Sequence, residues 1–290
     1  MTLRAEAFAK VNRRLHVISR RADGFHEIDT LFQTIDLADR ISVEPGGAGI
    51  EIECDDPSVP ADSRNLVSRA GHALAEAFGL RAAARVTLEK RIPAGGGLGG
   101  GSSDAAVALG LFARLWRIPA TAPDLHRIGA GLGSDVPYFF HGGAARGRGR
   151  GDRIELEPDI PETTLLVVIP PLSISTASVY SLCRPGGPDA EATGRQAAFF
   201  GRNDLASAVL DLEPAMKGYF QTVSEELPDA QISGSGATIV ARPSPSGIDE
   251  AKVRLAKRIP GARILAARTV ARPEYRRRSM LDFSQEVTPP

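Results

Sequence analysis

Residues 93–104 run Pro93-Ala94-Gly95-Gly96-Gly97-Leu98-Gly99-Gly100-Gly101-Ser102-Ser103-Asp104, and Ala105-Ala106-Val107 follows directly. Six of the seven residues from 95 to 101 are glycine. Such a run leaves the backbone free of Cβ atoms and open to positive φ. Backbone N–H groups can then turn inward around an anion. The run opens into a predicted helix over about 102–116 that is apolar nearly all round and therefore buried. Helix N-termini present unpaired N–H groups and a favourable dipole to a phosphate. Ser102 and Ser103 add hydroxyls at the expected N-cap. The physical reading is a cradle for nucleotide phosphates. A flexible connector is the plain alternative, but connectors seldom run straight into a buried apolar helix.

Two better-known phosphate loops do not fit. Gly95, Gly97 and Gly100 satisfy G-x-G-x-x-G by count, but the acidic strand end expected about 20 residues on is missing. That position holds Leu115-Trp116-Arg117-Ile118-Pro119. No Gly-Lys-Ser/Thr occurs, so the Walker A pattern fails. Protein-kinase signatures are absent as well.

Around the loop, 290 residues allow one large domain or two smaller ones. Residues 1–55 read as short strands, Arg4–Val11, Arg14–Ser19, Thr30–Ile35, Arg40–Val43 and Gly49–Cys54. A helix is predicted over 63–78, with Ser63 as N-cap and Gly79 at C′. Shorter helices are expected over about 123–130 and from about Asp135. The glycine- and arginine-rich stretch 142–151 reads as a turn. Leu165–Ile169 is a continuous apolar strand, and helical pattern follows over 174–226. A second glycine turn lies between Ile232 and Ala237–Ala241. A helix at 247–258 and a strand at 263–269 follow. This is an α+β pattern in two lobes. The expected division is 1–154, 155–272, and a flexible tail over 273–290 that carries Arg276-Arg277-Arg278.

Composition excludes several classes. Thirty-five Lys and Arg balance thirty-five Asp and Glu, so the chain lacks the electrostatic footprint of a nucleic-acid or membrane binder. Three arginines at 146, 148 and 150 without interleaved aromatics do not change that. Cys54 and Cys183 form neither a disulfide framework nor a zinc motif. His16, His72, His126 and His141 show no metal-ligand spacing, so no protein metal site is expected. With no signal peptide and no membrane span, a cytoplasmic location is expected. A homodimer is left open.

The pattern Pro-x-Gly-x-Gly-Leu-Gly-x-x-Ser-Ser resembles the phosphate loop of the GHMP kinases, named for galactokinase, homoserine kinase, mevalonate kinase and phosphomevalonate kinase. Three further segments agree in order. Ala9-Lys10-Val11-Asn12 resembles the first family motif. Gly133-Ser134-Asp135-Val136-Pro137 resembles the segment with the acidic active-site residue. Ser233-Gly234-Ser235-Gly236-Ala237 resembles the third motif. The resemblance implies a two-lobed α+β fold with the active-site cleft between the lobes, ATP as phosphoryl donor and Mg²⁺ as its counter-ion. Arg20–Glu27 with Thr30-Leu31-Phe32 is similar to the substrate segment of one branch of the family. That branch phosphorylates the 2-hydroxyl of a small acceptor carrying a cytidine diphosphate group, in the non-mevalonate isoprenoid route. Asn65-Leu66-Val67 and Asn203-Asp204-Leu205 agree with the same branch.

The resemblance assigns roles residue by residue. Asp135 would take or orient the proton of the attacking hydroxyl, although an Asp two residues before Pro137 also suits a helix N-cap. Lys10 would stand beside Asp135 and the hydroxyl and stabilise negative charge. Asn12 would offer its amide to the substrate. Pro93, Gly95, Gly96, Gly97, Leu98, Gly99, Gly100, Gly101, Ser102 and Ser103 would hold the phosphates, with Ser103 a candidate Mg²⁺ contact. Asn65 and Lys90 are candidates for the adenine pocket. His26 would hydrogen-bond a cytosine edge between the flat faces of Phe25 and Tyr180. Arg13 and Arg14 depart from the family pattern, as do Phe25 in place of Tyr and Asp152 in place of Glu. The competing readings are a mevalonate- or homoserine-type kinase and a non-catalytic ATP-binding sensor. The presence of both Lys10 and Asp135 argues against the sensor.

Overall fold

The structure is a computed structural model and describes residues 1–185 and 199–281. Two long strands, β1 (Leu3–Arg20) and β2 (His26–Glu44), form an antiparallel ribbon. The breaks that the sequence suggests inside each are bulges rather than ends, between Phe8/Ala9, Asn12/Arg14 and Val17/Ser19. A bulge bends a strand without terminating it, so a local change of pattern need not end the element. β3 (Ile50–Cys54) runs parallel to β4 (Ala84–Glu89), which pairs with the C-terminal end of β2. The N-terminal part of β2 pairs with β5 (Ala144–Gly149), which pairs with β6 (Arg153–Leu156).

Three helices complete this lobe: α1 (Leu66–Ala77), α2 (Gly100–Leu115) and α3 (Ala122–Leu132). Asn65, not Ser63, caps α1, its side-chain oxygen accepting from the Val67 N–H at 2.9 Å. Helix α2 is buried continuously from Ser103 to Ala113, as its apolar sequence requires. It packs with Phe8, Leu74, Tyr138 and Phe139 into the largest apolar cluster.

A second antiparallel sheet has the order β10 (Arg263–Arg268), β7 (Thr164–Ile169), β9 (Ile239–Ala241), β8 (Gln231–Ile232). It carries α4 (Thr176–Leu182), α5 (Ala206–Leu212), α6 (Ala215–Glu226) and α7 (Ile248–Arg258). The sheets meet through a separate apolar cluster, where Ala9, Val11, Ile35 and Leu98 pack against Val167 and Val240. Leu98, the one large side chain of the glycine run, is thus the plug that seats the loop on the seam between lobes.

Three expectations are corrected. Residues 144–149 are a strand: glycine hides the alternation that identifies one, and Arg146 is held on it by Asp29, Nε to Oδ1 at 2.9 Å. The first lobe reaches Leu156, since β6 belongs to its sheet. Residues 273–281 are not a tail. Helix α8 (Arg272–Ser279) returns to the first lobe, where Tyr275 is fully buried and its hydroxyl donates to the Phe139 carbonyl. Arg278 pairs with Glu6, remote in sequence, at 2.5 Å and with Glu274, one helical turn before it, at 2.7 Å. The rest of the expected tail, 282–290, lies outside the described residues.

Candidate active site

The glycine loop, β1, the turn after α3 and the 233–236 turn line one cavity of about 450 Å³ between the two sheets. The loop is pinned from both sides. The Lys10 N–H donates to the Leu98 carbonyl at 2.9 Å, and the Thr238 N–H donates to Gly96 at 3.3 Å. Gly97 sits at φ +73, and a Cβ there would lie 2.7 Å from the Ser233 carbonyl oxygen and 2.8 Å from that of Gly236. The two glycine segments therefore touch backbone to backbone. Gly97→Ala is expected to cost about 1–3 kcal/mol of stability and to raise the KM for ATP at least tenfold. Thermal unfolding and steady-state kinetics read the two effects.

Helix α2 starts from Gly99 in the left-handed region, with no side-chain cap. Ser102 and Ser103 therefore occupy the first turn, not the cap. The leading N–H groups of α2 are left open to an anion, as a phosphate site needs. The Ser103 hydroxyl is buried and has no hydrogen-bond partner.

Lys10 is buried on β1 and surrounded by acceptors. Its Nζ donates to Asn12 Oδ1 at 2.7 Å and to the Gly97 carbonyl at 2.9 Å, and lies 3.4 Å from Asp135 Oδ2. Asp135 occupies the N-cap position of a short 3₁₀ helix over Val136–Phe140 but makes no capping bond with its side chain. Its carboxylate, 29% exposed, faces Lys10 and the cavity instead. The capping role open to it in the sequence is not used.

Asn12 is tied to its surroundings by three hydrogen bonds. Its Oδ1 accepts from Lys10, its Nδ2 donates to Thr30 Oγ1 at 2.7 Å, and its backbone N–H donates to Ser233 Oγ at 3.2 Å. The sequence reading missed Thr30 and Ser233 as partners, because neither is close to Asn12 along the chain. Asn203 donates to the Ile232 and Gly234 carbonyls, both at 2.8 Å, and so holds the second glycine turn.

The other candidates divide. His26 and Tyr180 come together with ring centroids 5.2 Å apart, and Tyr180 lines the cavity. Burial first, then the charge of Arg20, holds the His26 imidazolium below the usual histidine range, so the ring is neutral near pH 7. Burial raises the Tyr180 phenol, which stays protonated. Phe25 is 51% exposed and faces the Arg150 guanidinium, 4.8 Å from its ring centre, rather than the His26–Tyr180 pair. Arg150 lines the cavity and pairs with Asp152 at 2.9 Å.

Asn65 and Lys90 line the cavity and are also bonded within the protein. The Asn65 amide donates to the Pro60 carbonyl at 2.6 Å while its oxygen caps α1. The Lys90 ammonium lies between the Asp39 and Asp104 carboxylates. Nothing in the local sequence points to Asp39 or Asp104.

Comparison with known proteins agrees with this geometry. The model of the GHMP kinases N terminal domain matches residues 65–143. The fold and the cleft make the chain a member of the GHMP kinase class, an ATP-dependent small-molecule kinase. A 4-diphosphocytidyl-2-C-methyl-D-erythritol kinase from Granulibacter bethesdensis is 40% identical over 251 residues, 81% of this chain and 83% of that protein. One from Dechloromonas aromatica is 38% identical over 80% of this chain and 85% of its own length. The chain belongs to the 4-diphosphocytidyl-2-C-methyl-D-erythritol kinase family. A crystal structure of 4-(cytidine 5'-diphospho)-2C-methyl-D-erythritol kinase superposes with a TM-score of 0.77 at 34% identity, over 92% of this chain and 99% of that one. A homoserine kinase from Cytophaga hutchinsonii shares the fold at a TM-score of 0.67 but is only 17% identical.

Proposed function

We propose that this chain transfers the γ-phosphate of ATP to the 2-hydroxyl of 4-diphosphocytidyl-2-C-methyl-D-erythritol, a step toward isoprenoid precursors. One observation carries the reading: a single cavity is lined by the glycine loop, the Lys10 and Asp135 side chains 3.4 Å apart, and Tyr180 of the His26–Tyr180 pair. Phosphoryl transfer asks for positioning and charge stabilisation more than covalent chemistry. The loop and the N–H groups at the start of α2 would hold the phosphates. Asp135 would receive or orient the proton of the acceptor hydroxyl. Lys10 would stabilise the charge that develops between hydroxyl and phosphate. Asn12 would serve the substrate through Lys10, which it holds.

ATP chemistry calls for Mg²⁺. Among the described residues no group of three His, Cys, Asp or Glu side chains is placed to hold a metal. A Mg²⁺ that keeps waters and phosphate oxygens as most of its ligands fits the site, with the unpartnered Ser103 hydroxyl as the protein oxygen it would take. Its contribution when bound would be to neutralise charge on the transferring phosphate.

The neutral His26 ring presents one donor and one acceptor, which suits a cytosine edge. Replacing His26 by alanine is expected to raise the KM for the cytidine-bearing acceptor about tenfold, from the loss of buried hydrogen bonding. The KM for ATP should stay within twofold. The described residues include no helix long and apolar enough to cross a membrane. With small ionic substrates, the cytoplasm is the proposed location.

The test is ADP release from Mg²⁺–ATP with three acceptors in parallel: the cytidine-bearing methylerythritol, mevalonate and homoserine. Turnover with the first alone supports the proposal. Turnover with another would overturn the acceptor, and ATP binding without turnover on any of them would favour the sensor.

A further inference from the structure

Apart from Leu98 at its middle, the glycine loop has little side-chain surface to hold it, and a glycine run loses much backbone entropy when it is fixed. Something outside it must set the separation of its two ends. At the entry, Asp39 of β2 accepts from the Arg91 N–H at 2.5 Å and the Ile92 N–H at 2.8 Å, immediately before Pro93. At the exit, Asp104 stands in the second turn of α2. The Lys90 ammonium joins the two, contacting Asp39 Oδ2 and, at 2.5 Å, Asp104 Oδ2. All three side chains are at least 95% buried, and Asp104 Oδ1 has no hydrogen-bond partner.

Two carboxylates around one ammonium are an expensive way to fill space. Apolar side chains of similar volume often serve stability as well or better. What the ionic arrangement adds is a fixed registry between the strand exit at 90–92 and α2, across the loop. Lys90 and Asp104 also line the cavity. Among the described residues no hydrogen bond or ion pair joins any of the three to Lys10 or Asp135.

We infer that Asp39, Lys90 and Asp104 clamp the two ends of the glycine loop, and that Asp39 and Asp104 are positioning residues for the ATP phosphates. The inference rests on the loop being the ATP site. It places the effect on nucleotide binding and not on the acceptor or the proton transfer.

The test compares Asp104→Ala with Asp104→Asn. Asparagine keeps an oxygen for Lys90 and leaves a one-to-one pair with Asp39; alanine cuts the link to α2. Asp104→Ala should raise the KM for ATP at least tenfold. Its kcat at saturating ATP and its acceptor KM should stay within twofold. Asp104→Asn should recover the ATP KM to within about threefold of the unmodified protein. Calorimetric titration with ATP alone should give the same ranking of Kd, so the clamp is tested even if the acceptor assignment fails. Unchanged ATP affinity in Asp104→Ala would overturn the clamp. So would a parallel loss in kcat and both KM values, or failure of asparagine to recover what alanine loses. If Asp104→Ala does not fold, Asp39→Asn and Asp104→Asn are compared in its place. Asp39→Asn should then raise the ATP KM more than Asp104→Asn, because Asp39 also holds two loop-entry N–H groups, and equal values would overturn the clamp.

Discussion

Asp135→Asn is expected to lower kcat by about 10²–10⁴-fold, the range for loss of a positioned proton acceptor. That corresponds to about 3–5.5 kcal/mol of barrier. Asparagine keeps the volume and removes the negative charge and the capacity to receive a proton. The KM values for ATP and acceptor should move only a few-fold, because the proposed phosphate site is made of backbone groups and the His26–Tyr180 pair lies on other elements. Stability should hardly change. The Asp135 carboxylate makes no capping bond, and Lys10 keeps Asn12 at 2.7 Å and the Gly97 carbonyl at 2.9 Å when that partner is lost. Steady-state ADP release and a melting curve on one preparation decide it. A kcat within threefold of the unmodified protein would remove Asp135 from the proton path.

Lys90→Met has its effect on stability. The Lys90 side chain is 5% exposed and is the cation between two buried carboxylates. Removing one partner of a buried ionic arrangement typically costs about 3–5 kcal/mol, because the opposite charge stays behind without compensation. For a protein of this size the melting temperature should fall on the order of 10 °C. Burial first, with the Asp39 charge adding to it, lifts the Asp104 carboxyl to about 7, against the opposing pull of Lys90. A carboxyl raised in the folded state binds its proton more tightly there than when unfolded. Its stabilising contribution is complete below the ordinary aspartate value and is lost as pH rises through about 7. Between pH 5 and about 7 this contribution falls with rising pH, against the opposite contribution of buried His141, whose imidazolium is held down to about 4, so the comparison is the melting temperature of the unmodified protein minus that of Asp104→Asn, which should fall across that window. Lys90→Met should steepen that fall.

Much of the site was legible because its chemistry is written in short contiguous segments. Six glycines in seven residues leading into an apolar helix point to an anion cradle rather than a connector. The ordered segments at 9–12, 93–103, 133–137 and 233–237 carry the family, and the first three hold Lys10, the glycine loop and Asp135. The α+β class followed from periodicity.

What the sequence could not give are roles that depend on partners far along the chain. Asp39 and Lys90 are 51 positions apart, Asn12 and Ser233 are 221, and Arg278 and Glu6 are 272. No local window shows that Lys90 is enclosed by carboxylates, that Asn12 spends its amide on Lys10 and Thr30, or that a run of three arginines belongs to a packed helix. Strand β5 escaped notice for the opposite reason, since its glycines carry no side chains whose alternation could be read. Residue type and spacing determine which groups are present and which local backbone they favour. Only the folded chain decides which of those groups remain free for a substrate and which are taken up in holding one another.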